Sequence, residues 1–440
     1  MVKKMKKKND LIQMIKKMKD TGFFSIFVST IFSKVIAFLG NIIIVKILSK
    51  NDYGIYAYAI NAMTMLYIFN DFGASSSALQ SLTEEKDNKE KQRKILKYAI
   101  KLGLTGSLIS GVLILLSPYF YPFEIVEAKK YTPILFLIPI FTNINAFVLV
   151  VLRANLENKK YAILNIVSTL FNYMFLIILS IKYGIMGAII SQYCYIIIIC
   201  VLGIIISRRT VGNFFKATST SKKEKKKFLK YAMTTQINST LSSLLLNIDI
   251  FTIGIILSSS TIVATYKVST VIPMALSFLP SCVMIYVLPH FIMHNKDIRW
   301  VKRNYVRLIK YGALIYGMIT IILCFSSKWI FNLLYGDVYN DAVTAFNMLI
   351  IGFFFHATFE IPTNNIFYSM RKLKINLIVT ISSVILNFIL NIALINAIGM
   401  NGAALSTMSI HIFASIILII YARSHILNKD EVDKNEKTNN

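Results

Sequence analysis

The stretch Tyr161–Ile197, YAILNIVSTLFNYMFLIILSIKYGIMGAIISQYCYII, decides the fold because the chain contains it twice. A shift of 215 positions places it on Asn376–Ile412, NLIVTISSVILNFILNIALINAIGMNGAALSTMSIHI. The pairs of identical residues include Asn172/Asn387, Gly184/Gly399, Gly187/Gly402 and Ser191/Ser406. Each copy has an apolar helix, a short G-x-x-G-A break and a second apolar helix, and glycine suits both a tight turn and close helix packing. The repeat predicts two similar halves.

The composition is that of a helical membrane protein. Of the 440 residues, 55% are hydrophobic and only 16% are charged, whereas a soluble domain carries about 25% charged residues. The charges are clustered, and the apolar stretches between them are about 20 residues long, enough to cross a hydrocarbon core of about 30 Å. The four cysteines show no C-x-x-C spacing, so they predict neither a metal site nor a redox motif.

Loops with many basic residues alternate along the chain with loops that have few. The formal net charge of +27 would also suit a nucleic-acid binder. However, the basic clusters occur in every second loop, and the loops between them hold at most two basic residues. The positive-inside rule therefore predicts twelve spans with both termini in the cytoplasm. The basic loops are expected to contact anionic membrane lipids, and no nucleic-acid partner is expected.

The predicted architecture is an all-α, polytopic membrane protein of about 12 helices in two six-helix lobes. An even number of spans in each lobe makes the two lobes a parallel repeat. The predicted spans are 23–47, 55–79, 96–117, 132–152, 162–181, 185–206, 230–257, 266–289, 308–326, 343–366, 375–396 and 401–421. The predicted domains are a basic amphipathic segment at 1–20, an N-lobe with helices 1–6 at 21–207, a basic cytoplasmic linker at 208–229, a C-lobe with helices 7–12 at 230–421, and a cytoplasmic tail at 422–440.

Short motifs in a fixed order carry a family resemblance. Lys46-Ile-Leu-Ser-Lys-Asn-Asp-Tyr-Gly-Ile-Tyr56 is followed by Asp71-Phe-Gly73. This order resembles the start of the polysaccharide biosynthesis family, the Wzx-type flippases of the multidrug/oligosaccharidyl-lipid/polysaccharide exporter superfamily, which often has Arg where Lys46 stands. Further elements similar to the family's are Leu152-Arg153-Ala154, Asn247-Ile-Asp249 with Tyr266, Leu333-Leu-Tyr-Gly336, and Asn387 before Gly399-x-x-Gly402-Ala403. The resemblance covers about residues 21–421.

The resemblance implies a transporter and not an enzyme. The implied substrate is a polyprenyl-pyrophosphate-linked oligosaccharide, flipped from the inner to the outer leaflet of the cytoplasmic membrane for O-antigen or capsule biosynthesis. The implied mechanism is alternating access through a basic cavity between the lobes. A polysaccharide polymerase and chain-length machinery are the implied protein partners. No cofactor is expected, and because the chain has no P-loop, ATP is not expected to drive it directly.

Charged side chains at bilayer depth are costly, so each indicates a function or a partner. Lys34 shares one polar stripe with Asn41 on span 1, and Asp249 shares another with Asn238 on span 7. A pyrophosphate that leaves water needs cationic partners. The predicted substrate-binding residues are Lys34, Asn41, Lys46, Asn238, Asp249, Lys267 and Asn387.

Structural roles for these charges remain open alternatives. Lys34 could pair with a carboxylate such as Asp249 or Asp71. Asp249 could instead accept a structural hydrogen bond from span 1 or 8. Lys46 and Lys267 are near the outer ends of their spans and could snorkel to the interface.

A second set of candidates concerns ion coupling. His356 and Glu360 are four residues apart on one face of span 10, and they join Asp249 as candidates for ion coupling, in their case through a proton relay. The alternative for His356 and Glu360 is a helix-packing pair. His290 and His294 have the same spacing but no glutamate between them and no third ligand, so no metal site is predicted.

Two other functions compete with the flippase. A drug or cation antiporter of the same superfamily would favour an acidic or apolar cavity, whereas this chain has more membrane-embedded lysine than carboxylate. A membrane-embedded polysaccharide polymerase or glycosyltransferase would favour a sizeable extramembrane loop with catalytic residues, which this sequence lacks.

Overall fold

The computed structural model describes residues 23–85, 88–211, 218, 220–294, 297–370 and 372–427. The predicted amphipathic segment at 1–20 and the end of the predicted tail, from residue 428, lie outside the described residues. Every regular element within the described residues is helical. The predicted all-α fold class is confirmed.

The helices follow one another with short connections. The α-helices are α1 (Phe23–Ile47), α2 (Lys50–Met65), α3 (Ala74–Glu84), α4 (Lys89–Phe120), α5 (Val126–Tyr131), α6 (Ile138–Ala154), α7 (Asn158–Val211), α8 (Lys222–Leu257), α9 (Ser260–Leu276), α10 (Phe278–Met293), α11 (Ile298–Tyr335), α12 (Ala342–Phe355), α13 (Ile361–Ser369), α14 (Leu373–Ile398) and α15 (Met400–Ala422). Between them lie 3₁₀ segments at Leu66–Gly73, Thr132–Leu135 and Asp337–Tyr339, and a π-helical segment at His356–Glu360; another π-helical segment, Arg423–Leu427, follows α15.

Most of the predicted crossings correspond to described helices. Within the described residues, nine helical stretches are long and apolar enough to cross a membrane, when α9 is joined to α10 and α12 to α13, and α5 with α6 forms a tenth, bent by 47°. The described part of α7 that passes this test has 51 residues. Its length is about 76 Å at 1.5 Å per residue, more than two bilayer cores, so it supplies two crossings. The predicted second span, 55–79, falls on α2 and α3, which have 16 and 11 residues and are each too short to cross a bilayer core as one helix.

The repeated glycines form the same turn in both copies. Gly184 has φ 55° and ψ −138° within α7, and Gly399 has φ 63° and ψ −145° between α14 and α15. This left-handed backbone favours glycine. A Cβ on Gly187 would lie 1.9 Å from the carbonyl oxygen of the leucine eight residues earlier, and one on Gly402 would lie 2.1 Å from the equivalent oxygen. The G-x-x-G-A break therefore combines a turn with a close contact between two helical segments.

The predicted second span is interrupted and is not one continuous helix. Asp71, Phe72 and Gly73 all have positive φ, at 55°, 50° and 70°. The Asp71 carboxylate accepts hydrogen bonds from Gly73 N at 2.6 Å and Ser75 N at 3.1 Å, so it caps the start of α3. The Asp-x-Gly motif thus ends one helical segment and begins the next.

Exposed apolar side chains mark the surface that faces lipid. On α11, Ile322, Phe325 and Trp329 are 64%, 90% and 68% exposed. Apolar surface of this extent would be unfavourable in water. Small residues such as Ser107 and Ser110 are buried instead on α4, as expected for helices that pack closely inside a membrane.

The chain divides into two compact units. The first comprises the residues up to Asp52 together with Ala62–Thr240, and the second comprises Tyr53–Asn61 together with the residues from Leu241 onward. The middle of α2 belongs to the second unit because Asn61 Nδ2 donates to the backbone oxygen of Asn247 at 2.9 Å. The division falls inside α2 and α8, whereas the sequence-based lobe limits stay predictions.

Candidate functional site

Asp249 is buried in the second unit, where three donors surround its carboxylate. Tyr266 Oη and Thr407 Oγ1 donate to Oδ2 at 2.5 and 2.6 Å. Asn391 Nδ2 donates to Oδ1 at 2.8 Å. The donors come from α9, α14 and α15, while Asp249 lies on α8. Hydrogen bonds to a charged acceptor are strong and compensate in part for the loss of water. We call these four residues the Asp249 network.

The second copy of the repeat supplies half of this network. Asn391 Nδ2 also lies 2.6 Å from Asn387 Oδ1, and Ser406 Oγ donates to the backbone oxygen of Asn387 at 3.3 Å. Asn387 and Ser406 are both buried, and both are repeated in the first copy. Asn391 is not repeated, because Leu176 occupies the equivalent position. Asn387 and Ser406, which both copies share, thus link the two helices of the second hairpin. Asn391 connects this hairpin to the Asp249 carboxylate.

A second polar cluster surrounds Glu360. His411 Nδ1 donates to Glu360 Oε2 at 2.9 Å. His356 Nδ1 lies 3.0 Å from the same oxygen, within ion-pair distance, but it makes no hydrogen bond of good geometry with a described residue. The two imidazole rings are 4.6 Å apart, measured between centroids. We call these three residues the Glu360 cluster.

The backbone places His356 and Glu360 on one side of their helix. Both residues bound the π-helical segment between α12 and α13, and such segments often occur at functional sites. Pro362, in the first turn of α13, has no N–H to donate to the preceding turn. His411 comes from α15, 51 residues further along the chain than Glu360.

One cavity in the second unit reaches both polar groups. Its volume is about 220 Å³, and its lining includes Asp249, Thr407, His356, Glu360 and His411. Pockets for drug-sized molecules occupy about 300–1,000 Å³. A cavity of this size suits ions and water, and it is too small for an oligosaccharide.

Helix α1 of the first unit exposes two different faces. Val28, Phe32, Val35, Leu39 and Ile43 are 46%, 57%, 49%, 52% and 44% exposed and share an arc of about 80° at 100° per residue. Lys34 is also exposed, but it lies outside this arc, about 100–180° away from these five residues. It makes no ion pair with a described residue. Since the apolar arc is the surface for lipid, Lys34 belongs to a different, polar exposed face.

Comparison with known proteins identifies the family. Residues 21–294 match the model of the polysaccharide biosynthesis protein family. The chain belongs to this family. The resemblance predicted from the motifs is confirmed, although no curated protein sequence matches the chain.

Solved structures share the fold of this family member at low identity. An inward-facing multidrug resistance MATE family transporter of the MOP superfamily has a TM-score of 0.76 and 15% identity, with 90% of this chain and 96% of that chain covered. Lipid II flippase MurJ, in an inward closed conformation, has a TM-score of 0.72 and 20% identity, covering 90% and 87%. A MOP superfamily transporter from Pyrococcus furiosus, described for the reverse polarity of its binding pocket, has a TM-score of 0.63 and 14% identity, covering 92% and 96%. The chain has the fold of these membrane transporters.

The remaining predicted site residues of this polysaccharide biosynthesis protein lie in different surroundings. Asn41 Nδ2 donates to Tyr173 Oη at 2.8 Å, which ties α1 to α7. Lys46 is exposed and lies about 20° from Leu39 on the apolar arc of α1, as a snorkelling lysine would. Asn238 is exposed on α8, and Lys267 is half-buried on α9.

Thr407 and His411 were not among the predicted site residues. Each lies far along the chain from the carboxylate that it contacts, so helical periodicity within one span gives no signal for the contact. The repeat does contain a signal, because His411 stands where the first copy has Ile196. A polar residue at a position where the other copy has an apolar one indicates a role other than packing.

Proposed function

We propose that this family member flips polyprenyl-pyrophosphate-linked oligosaccharides from the inner to the outer leaflet of the cytoplasmic membrane, for surface polysaccharide biosynthesis. Membership of the polysaccharide biosynthesis family is the observation that carries the proposal. The fold shared with a lipid II flippase is consistent with a lipid-linked substrate. Alternating access is the proposed mechanism.

The polar face of α1 supports an anionic substrate. Lys34 is exposed, lies opposite the apolar arc and makes no ion pair with a described residue. An ammonium group at bilayer depth is costly unless it meets water or an anion. A pyrophosphate would satisfy it with charge-assisted hydrogen bonds. Lys34 is therefore the proposed anion contact, and the placement of Lys46 on the apolar arc gives it a secondary role.

The second unit supports a coupling role for Asp249. Its carboxylate is buried, borders a cavity of about 220 Å³ and accepts three hydrogen bonds. Rotation of the Tyr266 and Thr407 hydroxyls would turn acceptor lone pairs towards the cavity. The network can therefore exchange hydrogen bonds for contacts to a small cation without moving the backbone. We propose that Asp249 couples transport to such a cation.

Deletion of the gene tests the proposed function. The cells are expected to accumulate a lipid-linked oligosaccharide on the inner leaflet, measured by lipid extraction and mass spectrometry, and to lose surface polysaccharide. The wild-type gene should restore both. Unchanged lipid-linked glycans together with greater sensitivity to cationic drugs would instead assign the chain to the antiporters.

The distribution of lysine and arginine predicts the orientation of the chain. A cysteine at Thr218, which is exposed, is expected to be protected from an impermeant thiol reagent in intact cells. Thr218 is chosen over the nearby Ser221 in the same predicted cytoplasmic loop. The Ser221 side chain accepts a hydrogen bond from Glu224 N at 3.3 Å and caps α8, so its replacement would disturb the helix. The matched control is Val338→Cys, which is 61% exposed and is predicted to face outwards.

The labelling needs a background without native cysteines, so Cys194, Cys200, Cys282 and Cys324 are first replaced. Reaction at position 218 in intact cells, with position 338 protected, would reverse the proposed orientation. Reaction at 338 alone would support cytoplasmic termini.

A further inference from the structure

The Glu360 cluster brings two imidazoles and one carboxylate together from two separate helices. Their ligand atoms, one from each residue, all lie within 4.8 Å of one another. No other group of three histidine, cysteine, aspartate or glutamate ligands converges in this way within the part of the chain that the structure describes. No metal site was predicted from the sequence, because His411 lies on a different helix from His356 and Glu360.

We propose that His356, Glu360 and His411 bind one divalent transition-metal ion of the zinc class. Two imidazole nitrogens and a carboxylate oxygen form a donor set that such ions prefer, and Na⁺, Mg²⁺ and Ca²⁺ favour sites made of oxygen. Three protein ligands leave a fourth position open in a tetrahedral site. In this protein the fourth position would face the cavity that the three side chains line.

The distances between the ligand atoms fit this proposal. Ligands of tetrahedral zinc at their usual bond lengths stand about 3.4 Å apart. The nitrogens of His356 and His411 are 3.0 and 2.9 Å from Glu360 Oε2, so these two distances have to open by about 0.4 and 0.5 Å. Small rotations of the side chains supply such a change.

The hydrogen bonding within the Glu360 cluster also supports a metal ion. Glu360 Oε2 receives one aligned donor, from His411, while His356 Nδ1 is buried next to the same oxygen without an aligned hydrogen bond. A buried nitrogen that faces a carboxylate at ion-pair distance without a well-formed hydrogen bond is incompletely satisfied. Coordination of an ion would use the lone pairs of both Nδ1 atoms, with the ring proton of each histidine carried on Nε2, and would replace the hydrogen bond from His411 to Glu360.

A bound ion would connect two transmembrane segments. His356 and Glu360 lie between α12 and α13, and His411 lies on α15. The metal would tie the π-helical segment to α15 beside the Asp249 network, in the same cavity. Binding should therefore raise the thermal stability of the purified protein.

The test is metal binding by the full-length protein in detergent, purified without a histidine tag and treated with a chelator. Co²⁺ serves as the probe because its visible absorption reports its ligands, and Zn²⁺ is added in competition. The wild-type protein is expected to bind one Co²⁺ per chain, to release it to Zn²⁺ and to melt at a higher temperature with Zn²⁺. His356→Ala, His411→Ala and Glu360→Gln should each lower the affinity at least ~10-fold, because even the loss of an outer-shell partner costs about that much.

The matched control is the double variant His290→Ala/His294→Ala. This pair has the same spacing as His356 and Glu360, but it lies on α10 and at its end, outside the cluster. The control should bind Co²⁺ as the wild-type protein does. His411→Cys keeps the test independent of a folding defect, since direct ligation by sulfur should add a thiolate charge-transfer band to the Co²⁺ spectrum.

Several outcomes would overturn the proposal. Absence of stoichiometric binding by the wild-type protein is one. Binding that survives all three cluster variants but is lost in the double variant is another. A melting temperature that depends on pH between about 5 and 8, without any response to metal, would assign the cluster to proton binding instead.

Discussion

Asp249→Leu is expected to abolish export and to lower the stability of the protein. The substitution removes the acceptor of three hydrogen bonds and leaves the groups of Tyr266, Asn391 and Thr407 facing an apolar side chain. Each unsatisfied buried polar group costs about 1–3 kcal/mol. Melting in detergent and export at matched expression measure the two effects separately.

Asp249→Asn separates charge from shape. Asparagine has nearly the same size, but its side chain has one acceptor oxygen and one donor NH₂ group. The NH₂ group would therefore face either Asn391 Nδ2 or the hydroxyls of Tyr266 and Thr407, all of which donate to Asp249 in the wild-type protein. We expect export to fall at least ~10-fold, equivalent to about 1.4 kcal/mol, while membrane insertion is retained. The control is the same substitution at Asp337, which is exposed in the segment after α11. Wild-type export by Asp249→Leu would remove Asp249 from the mechanism.

Lys34→Gln is expected to remove most of the export activity. Glutamine keeps a polar side chain but loses the charge that the pyrophosphate would require. Lys34→Arg should retain part of the activity, because it keeps the charge although its planar group differs in shape. Lys46→Gln provides the contrast on the same helix. Lys46→Gln should reduce export less than Lys34→Gln does, since Lys46 lies on the apolar arc of α1.

The double variant Lys34→Gln/Asp249→Asn distinguishes a substrate contact from an ion pair. Asp249 already accepts three hydrogen bonds from its own unit, so we expect the two losses to add. Rescue in the double variant would show that the two charges compensate each other. Lys34 would then be a structural residue, and the anion contact would have to be sought elsewhere.

The hairpins could be predicted from the repeat, because a tight turn requires glycine and both copies have glycine at the same position. Gly184 and Gly399 were expected at a tight turn, and both adopt positive φ. The boundaries of single helices were less predictable. Helix α11 runs from Ile298 to Tyr335, beyond the predicted span at 308–326, since backbone hydrogen bonding continues past the apolar segment into the basic loop.

The site was only partly predictable, for a physical reason. Asp249 and Glu360 were identified because a carboxylate in an apolar helix is costly wherever it lies. Thr407 carries no such warning alone, and the roles of both Thr407 and His411 depend on contacts between distant segments. The π-helical segment at His356–Glu360 has no distinctive composition, so its presence could be learned only from the structure.

The two hairpins share turn glycines but differ in side chains, with Leu176 in one copy standing where the other has Asn391. The residues that shape the turn and those that carry polar groups are therefore separate sets, and one set can differ between the copies while the other stays the same. Each copy also has polar contacts of its own, such as the hydrogen bond from Asn165 to Ser33 in the first and that from Asn391 to Asp249 in the second. Redesign could use the same freedom: new binding chemistry belongs at positions such as Leu176, where the duplicate has already shown that the backbone tolerates it.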